Sequence, residues 1–418
     1  MCPTPNKNSV AVIGAGSTGL MAALAAARAG TRVLVLETLP EAGVRLLATG
    51  GGHCNFTNTL DPREFIRRFG AKSRFVAPAL KALPGTRLRY FFDELGVTSH
   101  SPDDFHVLPV SDSAKSVRDA LLQACAQAGV EFRFNCRVER LQTNAGQVTG
   151  LLTATGVEST ARVILSAGGA SYPGLGGGES GFNLAHGVGH TIVPLCPALV
   201  PLLTRETWPA TLAGVTLPQV AVSLPGHNDP RATARGSLLF THQGISGPVV
   251  LDISGSVASA LLSSASLAIA VDIAPDRTKN TLQDDITWWK TNHGAKLAPA
   301  MLASLLPAAL VRIVLDLANI TLDTQIARVT REQIIRLIEL LKNLPLTISG
   351  TEGYAKAMAT RGGISLEEVN PKTMASKLVR GLFFAGEVLD VDGPCGGFNL
   401  QWAFSSGRLA GLSAVAGY

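Results

Sequence analysis

The chain has 418 residues, of which 46% are hydrophobic and 16% charged, and its formal net charge is +5. This length predicts two or three domains, and the apolar content excludes an intrinsically disordered chain. Because the positive charge is small and no long Lys/Arg block is present, the composition disfavours nucleic acid as a partner. The six cysteines and eight histidines show no CxxC pair and no metal-binding spacing, so we expect free thiols and no bound metal.

A glycine-rich turn follows the first apolar segment, Val10–Ile13, which has the length of a buried parallel strand. The G-x-G-x-x-G spacing gives each glycine a different task. The first permits a tight turn, the second lets a phosphate approach the backbone, and the third lets the following helix pack on the strand. The residues of this turn are Gly14, Gly16, Ser17, Thr18 and Gly19.

The second apolar segment, Arg32–Leu36, predicts the neighbouring parallel strand, and it ends at Glu37. An acidic residue about 20 residues after the glycine turn accepts hydrogen bonds from a ribose and repels a 2′-phosphate. Strand, glycine turn, Ala-rich helix, strand and acid together predict a dinucleotide-binding unit, with Glu37 at the adenosine end.

A second glycine-rich segment begins shortly after Glu37. Three consecutive glycines, residues 50–52, suit neither a helix nor a strand, but they suit a backbone that passes close to a cofactor. Arg45 would neutralise phosphate charge, and Asn55 would bind the polar edge of a ring. Because Cys54 and apolar residues are interleaved, burial is favoured over a flexible surface loop.

The segment Arg45–Asn58 resembles the signature of a bacterial flavoprotein family that includes aminoacetone oxidase and BaiN, which are NAD(P)/FAD-dependent oxidoreductases. Residues 240–248 and 362–402 are similar to the same family, so the resemblance covers nearly the whole chain. Val44 and His53 depart from the usual pattern, and the resemblance therefore fixes no substrate. It implies an α/β fold with a Rossmann-type, glutathione-reductase-like FAD-binding domain, interrupted by an inserted β-barrel-like domain and a helical subdomain.

The middle of the chain agrees with this organisation. Residues 112–127 predict an amphipathic helix capped by Asp112, and residues 138–165 predict an antiparallel meander. The step 167–169 resembles the segment by which FAD folds return to the nucleotide. We therefore expect an FAD-binding domain of residues 1–190 and 360–418, a β domain of residues 191–278, and a helical subdomain with a return strand, residues 279–359.

The uncharged segment 253–271 has the length of a membrane span, but it is rich in serine and is flanked by Asp252 and Asp272. It predicts a helix followed by a strand. The first apolar segment of the chain is the nucleotide-binding strand and not a secretory signal. We accordingly expect a cytoplasmic protein with no membrane association.

The C-terminal region predicts the redox end of the cofactor site. Gly386 and Glu387 end a short strand, and in related flavin folds an acid at this position accepts a hydrogen bond from a ribityl hydroxyl. Gly397 precedes Asn399, which is predicted to cap the last helix, Leu400–Ala416. The N–H groups at that helix start would stabilise negative charge on a reduced flavin.

The predicted cofactor-binding residues are Gly14, Gly16, Ser17, Thr18, Gly19, Glu37, Arg45, Gly50, Gly51, Gly52, Cys54, Asn55, Val138, Ala167, Gly168, Gly169, Gly386, Glu387, Gly397, Asn399, Leu400 and Gln401.

The predicted function is an oxidoreductase in which non-covalently bound FAD oxidises or reduces a small organic substrate. No second G-x-G-x-x-G turn follows directly on an apolar strand, so NAD(P)H is expected only as a transient electron donor. An NAD(P)H-dependent flavin ene-reductase, an RNA-modifying flavoprotein and a non-catalytic FAD-binding protein are the alternatives. The substrate is expected near residues 240–248 and 390–398. His242 and Cys395 are the candidate catalytic groups there, although a structural role is favoured for each, and the oligomeric state is left open.

Overall fold

The computed structural model describes residues 9–227 and 229–417, which form two compact units. The first unit extends to Pro197 and resumes at Ala357, and the second unit is Ala198–Lys356. The strands are β1 (Ser9–Ile13), β2 (Arg32–Leu36), β3 (Thr57–Asn58), β4 (Ser99–His100), β5 (His106–Pro109), β6 (Glu131–Arg133), β7 (Val138–Asn144), β8 (Gln147–Thr153), β9 (Gly156–Ser159), β10 (Val163–Leu165), β11 (Ile192–Ala198), β12 (Leu202–Thr204), β13 (Thr216–Ser223), β14 (Thr233–Phe240), β15 (Gly244–Ser246), β16 (Leu267–Asp272), β17 (Leu344–Thr351), β18 (Ala359–Ile364) and β19 (Leu382–Phe384).

The helices are α1 (Ser17–Arg28), α2 (Val44–Leu47), α3 (Pro62–Arg67), α4 (Ser73–Ala82), α5 (Gly85–Glu94), α6 (Ala114–Gln127), α7 (Ser180–His186), α8 (Trp208–Thr211), α9 (Pro248–Leu261), α10 (Lys279–His293), α11 (Ala298–Leu302), α12 (Ala308–Leu317), α13 (Arg331–Lys342) and α14 (Phe398–Ala416).

The first unit is built on a five-stranded parallel sheet in the order β19-β10-β1-β2-β6. Four of its strands are short, largely apolar segments, whereas the edge strand β6 has two charged residues, and the three residues of β10 are fully buried. In a parallel sheet the carboxyl ends of all strands meet at one edge, where open α/β folds bind their ligands. The residues that follow β1, β2, β10 and β19 therefore share this edge, which confirms the Rossmann-type prediction.

Helices α1 and α14 pack against each other through glycines. A Cβ atom at Gly407 would lie 2.4 Å from the carbonyl oxygen of Thr18, and one at Gly411 would lie 2.3 Å from that of Ala22. Because neither position has room for a side chain, the two helix backbones approach closely. The last helix is thereby fixed beside the helix that follows the first glycine turn.

The predicted antiparallel meander is confirmed as β7-β8-β9. The predicted cap of the amphipathic helix is wrong by one residue. Ser113 is the N-cap of α6, and its hydroxyl oxygen accepts a hydrogen bond from the N–H of Lys115 at 3.3 Å. Asp112 instead has a φ of +51°, and its carboxylate lies 2.9 Å from Nδ1 of His53.

The second unit contains a closed six-stranded barrel in the order β12-β15-β14-β13-β16-β17. Helices α10–α13 lie in the chain between β16 and β17, and their apolar side chains join those of the barrel in one hydrophobic core. The uncharged segment 253–271 divides between α9 and β16, as predicted. Within residues 9–227 and 229–417, no helix is long and apolar enough to cross a membrane.

Candidate functional site

The first glycine turn is packed so tightly that two of its glycines cannot be replaced without backbone movement. Gly14 has a φ of +94°, and a Cβ there would lie 2.8 Å from the carbonyl oxygen of Ser166. A Cβ at Gly19 would lie 1.8 Å from the carbonyl oxygen of Gly14. Both glycines are therefore required by the contacts among β1, β10 and α1.

Gly16 differs from its neighbours because the space beside it is open. It is the N-cap of α1, with a φ of −75° and a ψ of −174°, and a Cβ at this position would meet nothing within 4 Å. No side chain caps this helix end, and Ser17 and Thr18 form the first turn. The N–H groups at a helix start attract anions. The predicted position of a dinucleotide pyrophosphate at this open helix start stays a prediction.

The carboxylate of Glu37 is fixed beside this turn by two backbone N–H groups. Its Oε2 accepts a hydrogen bond from the N–H of Ala15 at 2.6 Å, and its Oε1 accepts one from the N–H of Leu39 at 2.9 Å. Each carboxylate oxygen keeps a further lone pair. The geometry is compatible with a ribose hydroxyl as an additional donor, which remains a prediction.

Arg45 and Glu387, which are far apart in sequence, form a salt bridge of 2.7 Å between Nη2 and Oε2. The Arg45 Nη1 also donates to the carbonyl oxygen of Gly169 at 3.2 Å. The Glu387 carboxylate accepts from the N–H of Gly169 at 3.2 Å and from that of Thr360 at 2.7 Å. Both side chains therefore connect the glycine-rich loop, the segment after β10 and the segment after β19. The predicted contacts of Arg45 with phosphate and of Glu387 with ribityl stay predictions.

The three consecutive glycines adopt backbone conformations that favour glycine, with φ values of +57°, +67° and +100° for Gly50, Gly51 and Gly52. Cys54 follows with a φ of +59° and a fully buried side chain. Burial raises the pKa of its thiol to about 12, so the nucleophilic thiolate is strongly disfavoured. Asn55 Oδ1 accepts from the N–H of Val107 at 3.2 Å, which fixes this amide in the fold.

The segment after β10 turns sharply at Gly168, which has a φ of +77°; a Cβ there would lie 2.4 Å from Arg45 Nη1. A Cβ at Gly169 would lie 2.4 Å from the Thr360 hydroxyl oxygen. Ala167 lies directly before this turn, and its Cβ packs close to Gly181, where an added Cβ would lie only 2.8 Å from it. Val138 is buried at the start of β7, and its predicted role in cofactor binding stays a prediction.

The C-terminal motif is placed as predicted, except for the helix cap. Gly386 has a φ of +77°, and a Cβ there would lie 2.3 Å from the Thr18 hydroxyl oxygen, beside the first turn of α1. The N-cap of α14 is Gly397, and helix α14 begins at Phe398. The prediction of Asn399 as the cap is therefore wrong. Its Oδ1 instead accepts from the N–H of Gly393 at 2.8 Å, which holds the preceding loop to the helix.

Leu400 and Gln401 lie in the first turn of α14, but the Gln401 side chain is buried. Its Nε2 donates to the carbonyl oxygen of Leu83 at 2.7 Å and to the hydroxyl of Ser405 at 2.8 Å. Its Oε1 is buried without a hydrogen-bond partner among the described residues, and the predicted cofactor contact of Gln401 stays a prediction.

Sequence reasoning missed a buried ion cluster in the loop before α14. Lys72 Nζ lies 2.6 Å from Asp390 Oδ1 and 3.1 Å from Asp392 Oδ1, and all three side chains are less than one fifth exposed. Asp390 Oδ1 also accepts from the N–H of Gly362 at 3.0 Å. The two aspartates stand in a recognisable motif, but nothing in the sequence identifies their cation, which lies more than 300 residues earlier.

A buried histidine was also missed. Nδ1 of His190 lies 3.0 Å from Glu368 Oε2, and its Nε2 lies 2.8 Å from the Ser376 hydroxyl. The arrangement resembles a serine–histidine–acid triad, but the Ser376 oxygen already accepts from the N–H groups of Leu378 and Val379 at 3.0 and 2.8 Å. Ser376 therefore anchors a turn and is not placed as a nucleophile.

The two candidate catalytic groups lie in different units. His242 is exposed in the turn between β14 and β15, and Cys395 is partly buried in the loop before α14. Within the part of the chain that the structure describes, no group of three His, Cys, Asp or Glu side chains could hold a metal ion.

The glycine turns and the parallel sheet agree with a comparison to protein families. The model described as HI0933-like protein Rossmann domain matches residues 8–413. The chain belongs to this family. The resemblance to the bacterial flavoprotein family is thereby confirmed at the family level, whereas the likeness to aminoacetone oxidase in particular stays a prediction.

Curated relatives extend over nearly the whole chain. A 3-dehydro-bile acid delta(4,6)-reductase of Clostridium scindens is 33% identical over 98% of this chain and 99% of its own. A ribosomal RNA dihydrouridine synthase of Haemophilus influenzae is 32% identical over 96% of this chain and 97% of its own.

A solved structure shares the fold. The 3-ketosteroid-Δ4-(5α)-dehydrogenase of Rhodococcus jostii RHA1 matches with a TM-score of 0.51 and 16% identity, over 99% of both chains. The family, its fold and its relatives together show that the chain is an FAD-dependent oxidoreductase.

Proposed function

We propose that the chain reduces a carbon–carbon double bond conjugated to a carbonyl group in a small organic molecule, with non-covalently bound FAD and with NAD(P)H as the transient electron donor. The observation that carries this proposal is the full-length likeness to the bile acid reductase, at 33% identity over 98% of the chain. The second relative is named for dihydrouridine, a base that has gained two hydrogens. Saturation of a double bond is the chemistry common to both names.

The site geometry supports this proposal at the cofactor. Gly16 leaves the start of α1 open to a pyrophosphate, and Glu37 is fixed where a ribose would lie. When bound, FAD supplies the hydride-transferring ring system. The N–H groups at the start of α14, after Gly397, would favour negative charge on that ring. The residues around the first glycine turn and the start of α14 therefore support the proposed FAD site.

In the overall reaction, one NAD(P)H is oxidised, one proton is taken up, and the double bond gains a hydride and that proton. Among the described residues, the five-stranded parallel sheet carries one G-x-G-x-x-G turn directly after a strand, at Gly14–Gly19, whereas the same spacing at Gly176–Gly181 begins eleven residues beyond the end of β10. A donor that binds, transfers its hydride and leaves needs no second nucleotide-binding domain. The proton would come from a side chain of suitable pKa near the substrate. The candidates are the imidazole of His242 and the thiol of Cys395.

Anaerobic stopped-flow measurements test the proposal. FAD-loaded protein should lose its visible flavin absorbance when mixed with NADH or NADPH, and a conjugated enone such as a 3-dehydro-Δ4 bile acid should restore it. The saturated analogue is the matched control and should leave the flavin reduced. If neither nicotinamide reduces the flavin, or if the enone and its saturated analogue behave alike, the proposal is wrong.

Variants separate the two proton-donor candidates. His242→Ala is compared with His100→Ala, since both histidines are exposed, and Cys395→Ser is compared with Cys136→Ser. A proton donor is identified by slower reoxidation with the enone, unchanged reduction by NAD(P)H and unchanged FAD content. Equal rates in His242→Ala, Cys395→Ser and wild type would remove both groups from the reaction.

Reduction of uridine in ribosomal RNA is the second candidate, favoured by the relatives of that name at 32% and 31% identity. Reduced protein would be incubated with an rRNA transcript, and nucleosides from the digest would be analysed by mass spectrometry. If dihydrouridine is found at one position of the transcript and small enones are not turned over, ribosomal RNA would be the substrate and the proposed small-molecule substrate class would be wrong. Non-catalytic FAD binding would appear as bound FAD that NAD(P)H does not reduce.

A further inference from the structure

A groove of about 440 Å³ lies on the first unit, outside the glycine turns. It is formed by α1, by α5 with the end of α4, and by the second half of α14. Its lining residues are Met21, Leu24, Ala25, Arg28, Ala29, Ala82, Leu83, Arg87, Tyr90, Phe91, Glu94, Arg408 and Leu412. Met21, Leu24 and Leu83 are buried, so the floor is apolar, while Tyr90 and Leu412 are exposed at 65% and 37%.

Three arginines line this apolar groove. Arg28, Arg87 and Arg408 form no ion pair with a carboxylate of the described residues, whereas Glu94 is the single acidic residue of the lining. The Arg28 guanidinium lies 5.9 Å from the centre of the Phe91 ring, close enough for a cation–π contact that holds it over the groove. The groove therefore combines hydrocarbon walls with an excess of positive charge.

The groove is separate from the proposed FAD site. The pyrophosphate position is at Gly16, at the start of α1, and Arg28 is the last residue of the same helix. With a rise of about 1.5 Å per residue, the two helix ends are roughly 18 Å apart. A molecule held by Arg28 would therefore occupy a different surface from the cofactor.

We propose that this groove binds an amphipathic carboxylate with a hydrocarbon body, of the size of a medium- or long-chain fatty acid. The apolar body would lie on Ala29, Phe91 and Leu412, and the carboxylate would pair with the arginines. Guanidinium groups bind carboxylates through two parallel hydrogen bonds. The groove volume falls in the range of about 300–1,000 Å³ that is typical of small-molecule sites. Charge complementarity selects an anion over a neutral lipid.

The probe is cis-parinarate, a fatty acid whose fluorescence rises when it leaves water, titrated into FAD-loaded protein. We expect saturable binding, and at least a tenfold loss of affinity in the double variant Arg28→Gln with Arg408→Gln. Ala29→Trp should also block binding, because Ala29 is exposed and lines the groove. The control is Arg312→Gln, an exposed arginine on α12 of the other unit, which should leave the affinity unchanged.

Several results would overturn the proposal. The proposal is wrong if wild type shows no saturable binding of the probe, or if Arg312→Gln loses as much affinity as the double variant. It is also wrong if the methyl ester of the probe binds wild type as tightly as the free acid does. Release of FAD during the titration would place the probe in the cofactor site instead. Sedimentation would show whether a second copy covers the groove. A dimer that Leu412→Glu converts to monomer would assign this surface to self-association and would refute the fatty acid site.

Discussion

Replacing Gly16 by alanine should separate cofactor binding from folding. The backbone at Gly16 has a φ of −75°, which alanine adopts without strain, and its Cβ would meet nothing within 4 Å. Without FAD the variant should be within about 0.5 kcal/mol of wild type, because the reduced entropy of the unfolded chain offsets the weaker preference of alanine for the N-cap position. The same methyl group occupies the space proposed for the pyrophosphate. FAD affinity should fall at least tenfold, or about 1.4 kcal/mol.

Gly19→Ala is the matched comparison within the same motif. Its Cβ would lie 1.8 Å from the carbonyl oxygen of Gly14, far inside the ordinary contact distance of at least 3.4 Å. Since the obstructing atom belongs to the backbone, α1 must move away from β1, and overpacking of this kind costs about 1–3 kcal/mol or more. This variant should lose stability even without FAD.

The assay pairs two measurements on protein from which FAD has been removed. Thermal midpoints followed by circular dichroism report folding, and quenching of FAD fluorescence during titration reports affinity. Wild-type affinity in Gly16→Ala would refute the pyrophosphate position inferred from the open space. Equal thermal midpoints for Gly19→Ala and wild type would contradict the packing argument.

Four further expectations follow from the described contacts. Glu37→Ala should lower FAD retention and should also destabilise the FAD-free protein by about 1–3 kcal/mol, measured by urea unfolding, because two backbone N–H groups lose their acceptor. Lys72→Met should cost about 3–5 kcal/mol, since it removes a cation that pairs with two largely buried carboxylates. Lys115→Met breaks an exposed ion pair and should cost less than about 1 kcal/mol. Burial lowers the pKa of His190 below its ordinary value of 6.5. The buried neutral imidazole therefore contributes fully to stability above pH 6.5, and this contribution is lost as the pH falls and the imidazole must be protonated. The thermal midpoint of wild type should drop more between neutral and acidic pH than the thermal midpoint of His190→Gln. The Cys54 thiol, with a pKa of about 12, should not react with a thiol reagent in the folded protein, so Cys54→Ala and wild type should give the same native titration and differ after denaturation.

Local sequence was sufficient to predict the cofactor-binding half of the fold. A short apolar strand, glycines at fixed spacing and an acid after the second strand each act within a few residues, and their geometry is set by backbone sterics and strand pairing. The glycine run 50–52 likewise indicated a backbone that is neither a regular helix nor a strand. All three residues have positive φ values, which glycine adopts at little cost. The inserted β-barrel-like domain was expected from the family resemblance, and the structure contains a closed six-stranded barrel.

Contacts between distant segments could not be predicted in this way. The pairing of Arg45 with Glu387 had no sequence signal, since folding alone brings the segments after β10 and β19 to the same sheet edge. Asn399 has the side chain of a helix cap, yet Gly397 begins the helix and Asn399 binds the preceding loop. Lys72 has no sequence feature that distinguishes it from an exposed lysine.

The sequence by itself determined the nucleotide-binding topology and the glycines on which it depends, because those features follow from local backbone geometry. Only the tertiary structure decided which charged groups meet and which are buried. Charge pairing depends on distances between segments that are hundreds of residues apart, as for Lys72 and Asp390. The same reason explains why the groove beside α1 was not predicted, since its arginines come from three separate helices that meet only in the folded chain.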